Sequence, residues 1–137
     1  MHIWRDLSGT SAIELALITP LFVVFFLGMV AFGLYVSVCH SVQEIAAAAA
    51  RAAVAGLNER ERRNLAAEFI DIYAAGYPFI DLRHLTLDMH DNPRDRRSFV
   101  VAIRYETAEL PVWSLLRGLP LPGRVISRQS TIRIGGV

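Results

Sequence analysis

The sequence contains no lysine, only one cysteine and almost no excess charge. All 14 basic residues are arginine, which we attribute to genomic base composition, and the formal net charge is +1. A chain this close to neutral offers no broad electrostatic surface for nucleic acid. The single cysteine, Cys39, excludes an intramolecular disulfide. We interpret it as a small apolar residue, with an intermolecular bridge as the alternative.

Motifs for catalysis and for metal binding are also missing. The sequence has no nucleophile elbow, no P-loop and no glycine-rich phosphate loop. Its four histidines are scattered without metal-ligand spacing. The acid-rich run from Asp88 to Asp95 lacks the glycine and the terminal glutamate of an EF-hand, and it is interrupted and followed by arginines. We therefore predict no enzymatic activity, no cofactor, no metal and no small-molecule substrate.

Charge is absent from one long segment, Leu15 to Val38, in a chain that is 53% hydrophobic. As a helix this segment measures about 36 Å, which is enough to cross a bilayer with some tilt. No small-residue cleavage site follows it, so we interpret it as a retained membrane anchor rather than a secretory signal. Arg5 precedes the span and Arg51 is the first arginine after it, which favours a cytoplasmic N-terminus with the rest of the chain outside.

Helical patterns continue beyond the span. The alanine-rich run that follows contains no proline or glycine before Gly56, which predicts one helical rod to about Ala55 with the glycine as its stop. Asn58 is placed to cap a second, amphipathic helix that ends near Gly76. The apolar stripe that we predict for this helix consists of Leu65, Phe69, Ile72 and Tyr73.

The period then changes from that of a helix to that of strands. Apolar residues alternate with polar ones over 85–89 and 99–105, and the polar, proline-containing turn between them predicts an antiparallel hairpin. A third strand is predicted over 124–134, and the order in which the strands pair is left open. The fold class is therefore α+β: a long N-terminal transmembrane helix with an alanine-rich extension, a second helix and a small antiparallel sheet of about three strands.

An apolar, proline-rich loop precedes the third strand. Three prolines between Glu109 and Gly123 exclude a continuous helix or a central strand. An apolar loop needs a cover, and three covers remain open: the sheet beneath it, the membrane surface and a partner subunit. If a partner docks here, its candidate contacts are Trp113, Leu115 and Leu116.

An acid, Glu14, stands at the start of the apolar span in the stretch GTSAIELALITP. One interpretation is a polar flank at the headgroups. The pattern has a second one, because a short polar leader ending in Gly9, followed by Thr10, Glu14 and an apolar helix, resembles the class III signal of type IV pilin-like proteins. Together with the alanine-rich rod and the apolar loop before the last strand, it resembles the TadE-like pseudopilins of the tight-adherence (Flp) pilus.

This resemblance implies cleavage by a prepilin peptidase between Gly9 and Thr10, with Glu14 pairing the terminal amine of a neighbouring subunit during assembly. It also implies pilin-like subunits and the assembly platform as partners, in the bacterial cytoplasmic (inner) membrane, for a pilus used in adhesion or secretion. Pro20, inside the span, is a candidate helix kink. The segments are then a leader (1–9), the membrane helix with its extension (10–57) and an extracytoplasmic domain (58–137).

Two alternatives make different predictions, although nothing in the residue spacing supports the second of them. A membrane-tethered binding or sensor domain would not depend on Gly9 or Glu14. An enzyme with a membrane anchor would show a polar concave pocket near the sheet.

Overall fold

A computed structural model describes residues 7–95, 97–110, 112–115 and 123–134, without the side chains of 7–10 and 115. In chain order the elements are helix α1 (Leu7–Ala53), helix α2 (Glu59–Tyr73), two 3-10 turns (Ala74–Gly76 and Leu82–His84), strand β1 (Leu85–Asp91), strand β2 (Ser98–Glu106), the short helix α3 (Val112–Leu115) and strand β3 (Val125–Arg133).

Helix α1 is one continuous helix of 47 residues, which confirms the predicted rod. Its length of about 70 Å exceeds what a bilayer needs, so part of it must extend beyond the membrane. That part carries the alanines, and its buried face lies against α2 and the sheet. Small side chains on this face allow the neighbouring backbone to approach closely. The buried residues are Val38, Val42, Ile45, Ala46, Ala49, Ala50 and Ala53.

Helix α2 begins where the sequence predicts, at a capped N-terminus. The side-chain oxygen of Asn58 accepts a hydrogen bond from the backbone N–H of Glu61 at 2.9 Å. The carboxylate of Glu61 in turn accepts from the backbone N–H of Leu57 at 2.9 Å. These two bonds satisfy N–H groups that a helix start otherwise leaves unpaired, and they fix where the chain turns back from α1.

The predicted apolar stripe of α2 is only partly correct. The buried face is Arg62, Ala66, Ile70 and, just past the helix, Ala74, which recur every four residues. Leu65 and Phe69 are half-buried beside this face, whereas Ile72 and Tyr73 are 60% and 58% exposed. Small residues at 66 and 74 let α2 lie close to α1, and this close approach turns the larger side chains outward.

The three strands form one antiparallel sheet in the order β1-β2-β3. The hairpin of β1 and β2 is as predicted, with Leu87 opposite Ile103. The pairing that the sequence left open is settled, since β3 joins the other side of β2, with Ile126 opposite Tyr105. One face of the central strand is fully apolar and packs on the helices: Phe99, Val101, Ile103 and Tyr105 are buried. The fold is α+β, as predicted.

Candidate functional site

The N-terminal part of α1 exposes large apolar side chains on every side. The six consecutive residues from Leu21 to Phe26 are each between 50% and 71% exposed. Because a helix turns about 100° per residue, six residues cover its whole circumference. A helix that is apolar all round lies either in a protein core or in a membrane. This one is too exposed to be a core helix, and it is long and apolar enough to span a membrane.

The domain that follows α1 begins to cover this helix at Ala31. This residue is fully buried, and it packs with Val112 of α3 in a small apolar cluster. The main core then covers α1 from Val38 onward. The stretch from Ser11 to Val30 is left almost wholly exposed, and its length of about 30 Å equals the thickness of a bilayer's hydrocarbon core.

Glu14 lies at the inner end of this stretch, one turn after Ser11. Its side chain is exposed, and none of the ion pairs among the described residues includes it. A carboxylate in this position needs either the headgroup region or an opposite charge from another molecule.

The predicted cleavage position lies in the first turn of α1, where Gly9 and Thr10 have helical backbone; their side chains are not described. Helix α1 passes through Pro20 without ending. The hydroxyl of Thr19 donates to the carbonyl of Leu15 at 2.6 Å. A threonine bonded in this way one turn back is a common companion of bends in membrane helices, and the kink at Pro20 stays a prediction.

The described part of the proline-rich loop lies against α1. Val112 is buried on Ala31, and Trp113 is half-buried. The indole N–H of Trp113 donates to the carbonyl of Thr107, and the guanidinium of Arg124 lies 5.5 Å from the ring centroid. Of the other candidate contacts, the Leu115 side chain and all of Leu116 lie outside the described residues.

The sequence reasoning missed one buried ion pair, which joins α2 to the sheet. Arg62 donates through Nη2 to both carboxylate oxygens of Asp91, at 2.9 and 2.8 Å, and through Nη1 to the carbonyl of Gly56 at 3.2 Å. Its guanidinium lies 5.7 Å from the centroid of the Phe99 ring. Its Nε is buried without a hydrogen-bond partner among the described atoms. The one signal in the sequence was that Arg62 lies four residues before Ala66, which places both residues on the same face of α2.

The remaining carboxylates of the acid-rich turn are engaged within the protein. Asp95 accepts hydrogen bonds from the Ser98 hydroxyl at 2.6 Å and from the Arg97 backbone N–H at 3.1 Å. These bonds, the hydroxyl foremost, lower the pKa of Asp95. Asp88 lies 3.3 Å from Nδ1 of His90. Among the described residues, no group of three or more histidine, cysteine or acidic side chains is arranged to hold a metal ion.

An open cleft of about 290 Å³ lies at the end of β2 beside Tyr105. The Tyr105 hydroxyl donates to the carbonyl of Phe79 at 3.1 Å and accepts from the backbone N–H of Asp81 at 3.2 Å. The Arg83 guanidinium donates hydrogen bonds to the Asp81 carboxylate, which lowers the pKa of Asp81 to about 2. The Tyr105 hydroxyl and the Asp81 carboxylate are thus both bonded within the protein, and the tyrosine holds the 79–81 segment against the sheet.

A comparison with protein families supports the resemblance seen in the sequence. Residues 9–51 match the family model described as TadE-like protein. This match covers the start of α1, the whole apolar stretch and most of the alanine-rich extension. No curated protein and no solved structure matches the chain.

Proposed function

We propose that the chain is a minor pseudopilin or assembly component of a Flp/Tad-type pilus, because residues 9–51 match the model of the TadE-like family. The observation that supports this role best is the coincidence of the matched segment with the apolar stretch that carries Glu14. The family is one of pilus components rather than enzymes, which agrees with the lack of catalytic motifs.

In this proposal the apolar stretch associates with the helices of other pilin-like subunits in the cytoplasmic membrane. Glu14 pairs with the terminal amine of a neighbouring subunit. In a medium of low dielectric, pairing two opposite charges offsets part of their desolvation, and leaving either one alone is penalised. The pair therefore favours helices that lie side by side at one particular depth.

The terminal amine becomes available when a prepilin peptidase cleaves between Gly9 and Thr10. Both residues lie among the first four residues of α1 as the structure describes it. Glycine is among the least favourable residues in a helix, by about 1 kcal/mol relative to alanine. Gly9 therefore weakens the helix at the position where a protease would have to unwind it into an extended form.

The domain outside the membrane selects the partner. In the part of the chain that the structure describes, β1 forms one edge of the sheet and β3 forms the other, and β3 pairs only with β2. Its backbone N–H and C=O groups on the open side are available for a strand of another subunit. The orientation follows the arginines, with the N-terminus in the cytoplasm and the domain outside.

Replacing Glu14 with glutamine tests this proposal, because the amide keeps the shape of the side chain and removes its charge. We expect Glu14→Gln to be processed to a Thr10 N-terminus but not to co-purify with pilin-like subunits, and piliation to fall. The matched control is Glu44→Gln. Glu44 is also an exposed acid on α1, but it lies past the apolar stretch, so this variant should behave as the wild type.

The second measurement is the intact mass of the chain from membranes of hosts with and without the prepilin peptidase. A Thr10 start that depends on the peptidase is expected. An unprocessed chain in both hosts, together with normal piliation in Glu14→Gln, would favour the membrane-tethered binding or sensor domain and overturn the proposal.

A further inference from the structure

The contact between Val112 and Ala31 fixes the height of α3 relative to the membrane. Ala31 lies about 24 Å along the helix axis from Leu15, the first residue of the uncharged span. A hydrocarbon core of about 30 Å that starts at Leu15 therefore ends beyond Ala31. In this placement α3 lies level with the outermost turn of the membrane-spanning helix.

Sliding the helix outward by about 6 Å, away from the cytoplasm, does not lift α3 clear of the bilayer. If the hydrocarbon core starts at Ser11 instead, its outer edge coincides with Ala31, and α3 lies at the boundary itself. Going outward from there would draw the Glu14 carboxylate deeper into the apolar phase, at a cost of up to about 3 kcal/mol on insertion scales. The two ends of the span thus restrict α3 to a zone a few ångströms thick.

The side chains of α3 suit that zone. Trp113 has an apolar ring and a single polar N–H, which is already bonded to the carbonyl of Thr107. Tryptophan concentrates at the level of the lipid headgroups for this reason. The Arg124 guanidinium lies against the same ring, and arginine near a membrane surface extends its charged end toward the headgroups. On α1 the neighbouring Met29 and Phe32 are each 61% exposed, so the apolar surface of the span continues up to α3.

Charges elsewhere at this end of the domain do not oppose this position. Asp81 is bonded to Arg83, and Glu109 lies 3.6 Å from Nε2 of His84. Both acids line the cleft beside Tyr105, not the contact between α3 and α1.

We propose that Trp113, held against α1 by the buried contact of Val112 with Ala31, is an interfacial anchor that lies in the headgroup region of the bilayer on the domain side and holds the domain down on the lipid surface. The occupant of this surface is phospholipid. The sequence left the sheet, the membrane surface and a partner subunit open as covers of this loop, and the proposal assigns the exposed side of Trp113 to the membrane surface. The inference rests on membrane anchoring by α1 and not on pilus assembly.

The test uses tryptophan fluorescence of the full chain in phosphatidylcholine vesicles. Trp4→Phe leaves Trp113 as the sole tryptophan. Bromine atoms placed near the glycerol end of the lipid chains should quench its emission by about twofold, and more strongly than bromines near the methyl ends, since an interfacial ring lies at the shallower depth. The matched control is Leu57→Trp combined with Trp4→Phe and Trp113→Phe. Leu57 is 90% exposed at the far end of the domain, so its replacement should not be quenched.

Alkaline carbonate extraction of each variant confirms that α1 is inserted. If the chain is inserted but Trp113 is no more quenched than the Leu57→Trp control, the inference is wrong. Protection of Trp113 that appears only when pilin-like subunits are added, without bromine quenching, assigns the segment to a protein partner and also overturns it. Bromine quenching in a protein that does not co-purify with pilin-like subunits would support the anchor while refuting the pilus role.

Discussion

Replacing Asp91 with asparagine should destabilise the domain that follows α1 and leave the membrane-spanning part of α1 unchanged. The Arg62 side chain is only 7% exposed, and Asp91 provides its only opposite charge among the described ion pairs. The asparagine amide offers one acceptor oxygen where the carboxylate offers two, and it carries no charge. The guanidinium would then stay buried against the Phe99 ring with its charge uncompensated.

Removing one partner of a buried ion pair typically costs about 3–5 kcal/mol. The Asp91 side chain is 28% exposed, so water recovers part of that cost. We therefore expect a loss of about 2 kcal/mol in the free energy of unfolding, which corresponds to faster amide exchange by roughly 30-fold. Hydrogen exchange of the full chain in detergent micelles, followed by mass spectrometry of peptides from β1 and α2, measures this change directly.

Two comparison variants make the result specific. Glu59→Gln removes the exposed pair of Glu59 with Arg63, whose side chains are 44% and 53% exposed, and should cost less than about 0.5 kcal/mol. The double variant Arg62→Met with Asp91→Leu removes both charges and should be more stable than Asp91→Asn, because no buried charge is left alone. Exchange in Asp91→Asn within threefold of the Glu59→Gln control would refute the reasoning.

Two further predictions concern the turn after α1 and the cleft beside Tyr105. Gly56→Ala should destabilise the domain by about 2 kcal/mol in denaturant titration, because its Cβ would lie 2.6 Å from the backbone nitrogen of Arg62. The control Gly76→Ala, where a Cβ meets nothing within 4 Å, should change little, and equal effects at both sites would contradict this account. The Asp81 carboxylate should titrate in NMR with a midpoint near its lowered pKa of about 2. Its contribution to stability is present above the usual pKa of about 4 and is lost as the pH falls through 2. Arg83→Gln should raise the midpoint, and an unchanged one would refute the assignment.

Features that depend on neighbouring residues were predictable from the sequence. The uncharged run, the alanine-rich rod and the Asn58 cap each involve groups within a few residues of one another, so their patterns specify them. The alternation of β1 and β2 likewise predicted which face is buried. It did not predict which strand lies beside which, because alternation fixes the face of a strand and not its neighbour.

The buried face of α2 was mispredicted because it includes an arginine. A charged residue on a helix face normally indicates that this face is exposed to solvent. Only knowledge of an oppositely charged partner would lead to the opposite prediction. Asp91 lies 29 residues further along the chain, in an acid-rich turn that suggested a solvated loop. The role of Gly56 was only half predicted for a similar reason. The sequence suggests a helix stop, whereas the structure shows that the backbone of α2 passes too close for a side chain.

Helix α1 runs without a break from the membrane span into the domain core. The domain and the membrane-spanning helix must therefore rotate together about the helix axis. Since α1 stays helical from Leu7 to Ala53, no flexible linker separates the part in lipid from the part that packs on the sheet. A subunit that rotates about its helix axis on entering a bundle turns its sheet edge by the same angle. A single residue inserted into α1 below Ala31 would redirect the domain by about 100° relative to Glu14. The rotation of the helix within the membrane thereby sets the direction in which the domain faces.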